Sequence, residues 1–247
     1  MIELIMQFKE GFLNFLADVK ENAMFILVCC AIIAALFLLA KLTEHFLPAR
    51  RTVSTARRIT IIAICAAIAT VLHILDFPLP FLAPEFYKLD FSEVPVMLCG
   101  FYLGPSAAVV CEALKILLKL LFKGTSTAFV GDFANFAVGC SLLLPAVIIY
   151  HTKKSKTSAL VGLIAGTLFL SVFGSAFNGI YLLPKFAELL IPMDAIISAG
   201  NAVNKHINSV STFVLLAVAP LNLIKGVSVS VLTLLLYKKV ARPLFGK

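Results

Sequence analysis

Charge is scarce in this chain, tryptophan is missing, and the short motifs that mark common enzymes are absent. Only 14% of its 247 residues are charged and 61% are apolar, which argues against a soluble globular domain and leaves no polar segment long enough for a second one. G-x-x-x-x-G-K-[ST], H-E-x-x-H and G-x-S-x-G do not occur, so nothing supports ATP hydrolysis, zinc-dependent hydrolysis or a serine nucleophile. Cys29, Cys30, Cys65, Cys99, Cys111 and Cys140 lie in apolar runs without a C-x-x-C and read as small buried residues. His45, His73, His151 and His206 are scattered without ligand spacing, and His73 reads as an interface residue near the end of a span.

What is present is a series of apolar runs. Seven membrane spans are predicted, at 23–42, 59–75, 94–103, 105–122, 129–150, 159–183 and 220–237. The third is short: either residues 90–93 extend it, or it turns back at Gly104-Pro105. The fold class is therefore all-α and polytopic. Residues 1–50 form an N-terminal unit, in which Ile5, Phe8, Phe12 and Phe15 share one helical face and the first span is a retained helix rather than a cleaved signal. Residues 51–247 form the main membrane domain.

The formal charge of +8 is a topology signal. Lys41, Arg50, Arg51, Arg57 and Arg58, then Lys153, Lys154 and Lys156, then Lys238, Lys239, Arg242 and Lys247 all fall on one side if the spans number seven. That side is expected to be cytoplasmic, with the C-terminus on it and the N-terminus outside. Basic residues placed in this way give no reason to expect a nucleic-acid partner.

Polar residues within the apolar runs are the candidate site, because a polar or charged group at membrane depth is costly unless it is partnered or functional. Glu112, Lys115 and Lys119 share one helical face, as a structural ion pair or as part of a site, while Lys119 and Lys123 approach the outer end. Asp132 and Asn135 open the fifth span, where Asp132 is either a helix cap or a site residue. Asn178 lies far from any helix start it could cap and needs a partner on another helix or on a ligand. Asn222 and Lys225 follow Pro220, which fits the first position of a helix, so free N–H groups, an amide and a cation are expected at one outer end. That set suits carbonyl oxygens, a ring nitrogen gaining negative character or a carboxylate; the competing reading pairs Lys225 with Asp90 or Asp132. Residues 77–87, rich in proline and aromatics, are expected to lie over the bundle mouth as a lid, and 185–212 to hold a short helix near 193–198.

Several motifs in order carry a family resemblance: FPLPFL at 77–82, KLDFSEVP at 88–95, GFYLGP at 100–105, FKGTST at 122–127, GDFANF at 131–136, Asn178 with Leu182-Leu183-Pro184, and PLNLIKG at 220–226. Across residues 57–239 the sequence resembles the riboflavin-specific S components of energy-coupling factor (ECF) vitamin transporters. The resemblance implies a six-helix bundle formed by the second to seventh spans, the first span being extra. It implies riboflavin as transported ligand and no cofactor, entering from outside and held by the first loop and later helices. The site carried over comprises Phe81, Leu82, Lys88, Asp90, Asn135, Asn178, Asn222 and Lys225, with ring stacking left to residues such as Phe81, Phe86 or Tyr87. Ala63 and Ala67 match the family's small-residue motif, and imply docking on a transmembrane coupling protein driven by two cytoplasmic ATPases. The expected function is vitamin capture at a bacterial cell membrane. The alternatives are a different vitamin, or a self-sufficient proton-coupled transporter using Lys225, Asp90 and Asp132.

Overall fold

Long apolar runs with few breakers become helices because a bilayer leaves the backbone no hydrogen-bond partner but itself. The computed structural model of the chain describes Lys20, residues 22–48 and residues 53–245, with side chains beyond Tyr237 described only at Lys239. The amphipathic face Ile5, Phe8, Phe12 and Phe15, and Arg50, Arg51 and Lys247, lie outside the described residues. The helices are α1 (Ala23–Phe46), α2 (Thr55–Ile74), α3 (Glu93–Leu103), α4 (Pro105–Lys123), α5 (Val130–Lys153), α6 (Lys156–Phe177), α7 (Leu183–Leu189), α8 (Met193–Val203), α9 (Val210–Phe213) and α10 (Ala219–Phe245). Between α2 and α3, Phe77–Pro78 (β1) pairs antiparallel with Lys88–Leu89 (β2), which closes the base of the first loop.

Among the described residues, five stretches are long and apolar enough to cross a membrane: α1, α2, α5, Lys156–Leu189 and Val210–Tyr237. The other two predicted spans are different in kind. At 11 residues α3 is about 16 Å long, too short to cross, and it is buried along nearly its whole length. It ends at Gly104, whose φ of 106° turns the chain straight into Pro105 at the start of α4. Helix α4 is long enough but carries Glu112, Lys115, Lys119 and Lys123, which it can hold in the bundle only because each has a partner.

The predicted helix start at Pro220 is corrected. The helix begins well upstream, where the Ser209 side chain accepts the Thr212 N–H and Thr212 answers at the Ser209 N–H, a reciprocal cap. It then passes through a π turn, Val214–Val218, in which the Ala219 N–H reaches the Val214 carbonyl. A second π turn, Asn178–Leu182, joins α6 to α7, with the Leu183 N–H on the Asn178 carbonyl. Each wide turn ends just before a proline, Pro220 or Pro184, whose ring and missing N–H would otherwise break the α-helical ladder. Asn222 and Lys225 therefore lie inside a continuous helix, and the expected free N–H groups beside them do not exist.

The main core lies among α2 to α6 and α10, around Met97, Phe101, Ala107, Leu142, Leu143, Val147 and Leu163. A smaller cluster of Ala83, Leu183, Ile196, Ile207, Phe213 and Ala217 seats the first loop against α7, α8 and the start of the last span. Helix α1 packs through Phe25, Ile33, Leu36 and Phe37 on α4 and α5, and Glu44 near its end accepts the Ser106 N–H at 2.8 Å. Arg58 of α2 donates to the Ser106 hydroxyl at 2.9 Å, His151 meets the Gly100 carbonyl at 3.0 Å and Tyr150 meets Tyr237 at 2.5 Å, so these helix ends converge. That end carries Arg57, Arg58, Lys153, Lys154 and Lys156; the first loop and α8 close the opposite one.

Candidate functional site

At the loop-covered end the helices enclose a cavity of about 510 Å³, a size suited to a small organic ligand. Six of the eight predicted binding residues line it: Lys88, Asp90, Asn135, Asn178, Asn222 and Lys225. Phe81 and Leu82 do not. The Leu82 and Ala83 N–H groups both turn back to the Leu79 carbonyl, which directs Ala83 into the core and leaves Phe81 76% exposed on the outside. Phe86 and Tyr87 are the loop aromatics at the cavity, backed by Phe213, whose ring stacks 6.4 Å from that of Phe86.

Of the three asparagines that line the cavity, Asn178 and Asn222 are buried and Asn135 is half-buried. The π turn starts at Asn178, whose Nδ2 donates to the Gly174 carbonyl at 2.7 Å while its Oδ1 accepts the Tyr87 hydroxyl at 2.7 Å. Tyr87 ties the loop to the far helix, and burial pushes its phenol above the usual range, so it stays a donor. Asn222 is buried one helix away, with its Nδ2 unpartnered. Gly174 makes room for it, since a Cβ there would lie 2.9 Å from that nitrogen. A buried donor left unpaired costs about 1–3 kcal/mol, which a ligand acceptor in the cavity can recover.

Lys225 follows the structural alternative weighed against a ligand cation: its Nζ lies 3.1 Å from Asp90 and 3.0 Å from Glu93. Glu93 also meets Lys115, which sits 2.6 Å from Glu112, so the ion pair expected on α4 is part of a larger buried set beneath the cavity. A Cβ at Gly139 would collide with the Glu112 carboxylate, and glycine there lets α5 close over it. Asp132 is not a helix cap: it accepts from Lys119 at 2.5 Å and from the Thr125 hydroxyl at 2.7 Å, forming a wall of the cavity. Lys88 and Lys123 share Asp76 at the mouth, 3.3 and 3.4 Å away.

Glu93, at the first turn of α3, is not among the predicted site residues, and His73, read as an interface residue, instead lines the cavity 3.5 Å from Asp90. The signal available in the sequence was that each is a titratable group at the edge of an apolar run, costly there unless partnered. Ala63 and Ala67 face outward from α2 beside Ile59, Ile64, Ile68 and Val71, so that helix keeps an uncovered face.

Residues 57–237 match the family "ECF transporter, substrate-specific component". The chain belongs to that family. It is 36% identical to the riboflavin transporter RibU of Staphylococcus aureus (strain TCH60) over 185 residues, covering 75% of this chain and 90% of the relative. It is 29% identical to the riboflavin transporter FmnP of Bacillus subtilis (strain 168), covering 74% and 92%. A solved S component of a bacterial ECF transporter superposes with a TM-score of 0.61 at 34% identity, covering 78% of this chain and all of that one. This S component is thus an all-α, multi-pass membrane protein with α1 outside the matched region.

Proposed function

We propose that this S component binds riboflavin in the cavity beneath its first loop and hands it inward through an ATP-driven complex at a bacterial cell membrane. Asn178 and Asn222 read the polar edge of the flavin. Phe86 and Tyr87 cover it, and Lys225 holds the floor in shape through Asp90 and Glu93. The partners in this reading are a transmembrane coupling protein, docked on the Ala63 and Ala67 face, and two cytoplasmic ATPases. The loop-covered end faces outside and the end rich in Lys and Arg faces the cytoplasm, with the C-terminus. No cofactor is required, because the flavin is cargo.

The observation that carries this reading is the buried, unpartnered Asn222 Nδ2 in the wall of a ligand-sized cavity, in a chain whose relatives are named riboflavin transporters. A self-sufficient proton-coupled transporter using Lys225, Asp90 and Asp132 fits less well, because Asp132 is engaged by Lys119, apart from the other two. The test is titration of the detergent-purified chain with riboflavin, followed by quenching of flavin fluorescence. Saturable quenching is expected, weakened about tenfold to a hundredfold in Asn222→Leu, with the thermal midpoint of the ligand-free variant no lower than wild type. Absence of quenching by folded wild-type protein would overturn the riboflavin assignment and turn the search to other vitamins.

A further inference from the structure

Beneath the cavity, three carboxylates and two ammonium groups are packed together: Asp90, Glu93, Glu112 and Lys115 are buried, and Lys225 is half-buried where it meets the cavity. If all five ionise, the set keeps one unmatched negative charge. Holding such a charge in a dry interior is unfavourable, and among the ion pairs of the described residues no third Lys or Arg joins the set; its further titratable neighbour is His73, on Asp90.

The three carboxylates are served unequally. Asp90 accepts from Lys225 at 3.1 Å, from the Ser92 N–H at 2.8 Å and from the Ser92 hydroxyl, with His73 Nδ1 3.5 Å away. Glu93 has both lysines on Oε1, at 3.0 and 3.4 Å. Glu112 has Lys115 alone, shared with Glu93; the buried Oε2 of each of these two glutamates has no hydrogen-bond partner. The charged and titratable groups that act on Glu112 are Lys115 on its own helix, Glu93 on α3, Lys225 on α10 and the Cys140 thiol on α5. From α2, Thr70 reaches the Lys115 carbonyl and His73 faces Asp90; neither touches Glu112, and only a protonated His73 would balance the set in place of a proton on Glu112.

We propose that Glu112 is a proton-binding site, carrying a proton at neutral pH inside the folded bundle. Asp90 and Glu93 then balance Lys225 and Lys115, while the neutral Glu112 accepts from Lys115 through its carbonyl oxygen. Lys225 is balanced within the protein, so the cavity floor offers no net charge and favours a neutral polar ligand over an anion. None of this depends on which ligand the cavity takes.

Infrared spectroscopy of the purified full chain at neutral pH tests it. The carbonyl stretch of a protonated carboxylic acid is expected in wild type, lost in Glu112→Gln and kept in His73→Gln. Glu112→Gln exchanges a neutral acid for a neutral amide of the same shape, so its thermal midpoint should equal that of wild type. Isotope labelling keeps the test open even if that variant fails to fold: carbon-13 glutamate should shift the wild-type band and carbon-13 aspartate should leave it in place. A wild-type spectrum without the band, a band that survives Glu112→Gln, or a band that moves with labelled aspartate overturns the proposal.

Discussion

Lys115 and Lys119 occupy the same face of α4, one turn apart, yet they live in different surroundings. Lys115 is 0% exposed, held by Glu112 on its own helix and by Glu93 and Ser92 at the start of α3. Lys119 is 14% exposed, bonded to Asp132 and the Gly124 carbonyl, and opens on the cavity. The reason is what lies opposite. At the level of Lys115 the start of α3 lies opposite; one turn further out Lys119 meets Asp132 in the first turn of α5 and the Gly124 carbonyl in the loop before it. The same side chain is a brace where it is fully buried among carboxylates and a wall of the site where the cavity opens beside it.

Replacing each lysine in turn should separate brace from wall. Lys115→Met leaves buried carboxylates without their shared cation and is expected to cost about 3–5 kcal/mol, read as loss of monodisperse protein or a steep fall in thermal midpoint. Equal stability for Lys115→Met and wild type would erase the distinction. Lys119→Met should leave the bundle folded but free Asp132 and the loop at Thr125, weakening ligand affinity about tenfold in the same titration. Tyr87→Phe removes one hydrogen bond between loop and helix, worth about 1 kcal/mol, and should quicken ligand dissociation about fivefold in stopped-flow fluorescence. The smallest effect is expected at the mouth, where Lys88 and Asp76 are partly exposed. There Lys88→Ala should change stability by less than about 1 kcal/mol, with any effect on binding fading as salt is added.

Much of the candidate site was legible in the sequence, and for one physical reason. An amide or ammonium group in an apolar run is costly, so Asn178, Asn222 and Lys225 stand out, and all three line the cavity. Phe81 and Leu82 were harder, because a proline-rich loop does not announce which of its side chains a local turn sends inward; the turn at Leu79 sends Ala83 in. Pro220 looks like a helix start because proline suits that position. A π turn upstream is visible only when the helix is followed residue by residue. Asp132 looked equally like a cap for its own helix, until the chain brought Lys119 within 2.5 Å.

Apolar run length and the spacing of basic residues were enough to establish, from the sequence alone, a multi-pass helical membrane protein, a set of polar residues within it and the order of family motifs. Those properties are local: a bilayer demands helices of a certain length, and a costly residue is costly wherever it points. Which carboxylate meets which lysine, that the short third span is buried along nearly its whole length, that Tyr87 reaches Asn178 across the cavity and that His73 faces Asp90 were decided only by the tertiary structure. Those contacts join residues far apart in the chain, and sequence spacing along one helix says nothing about the groups that another element brings opposite.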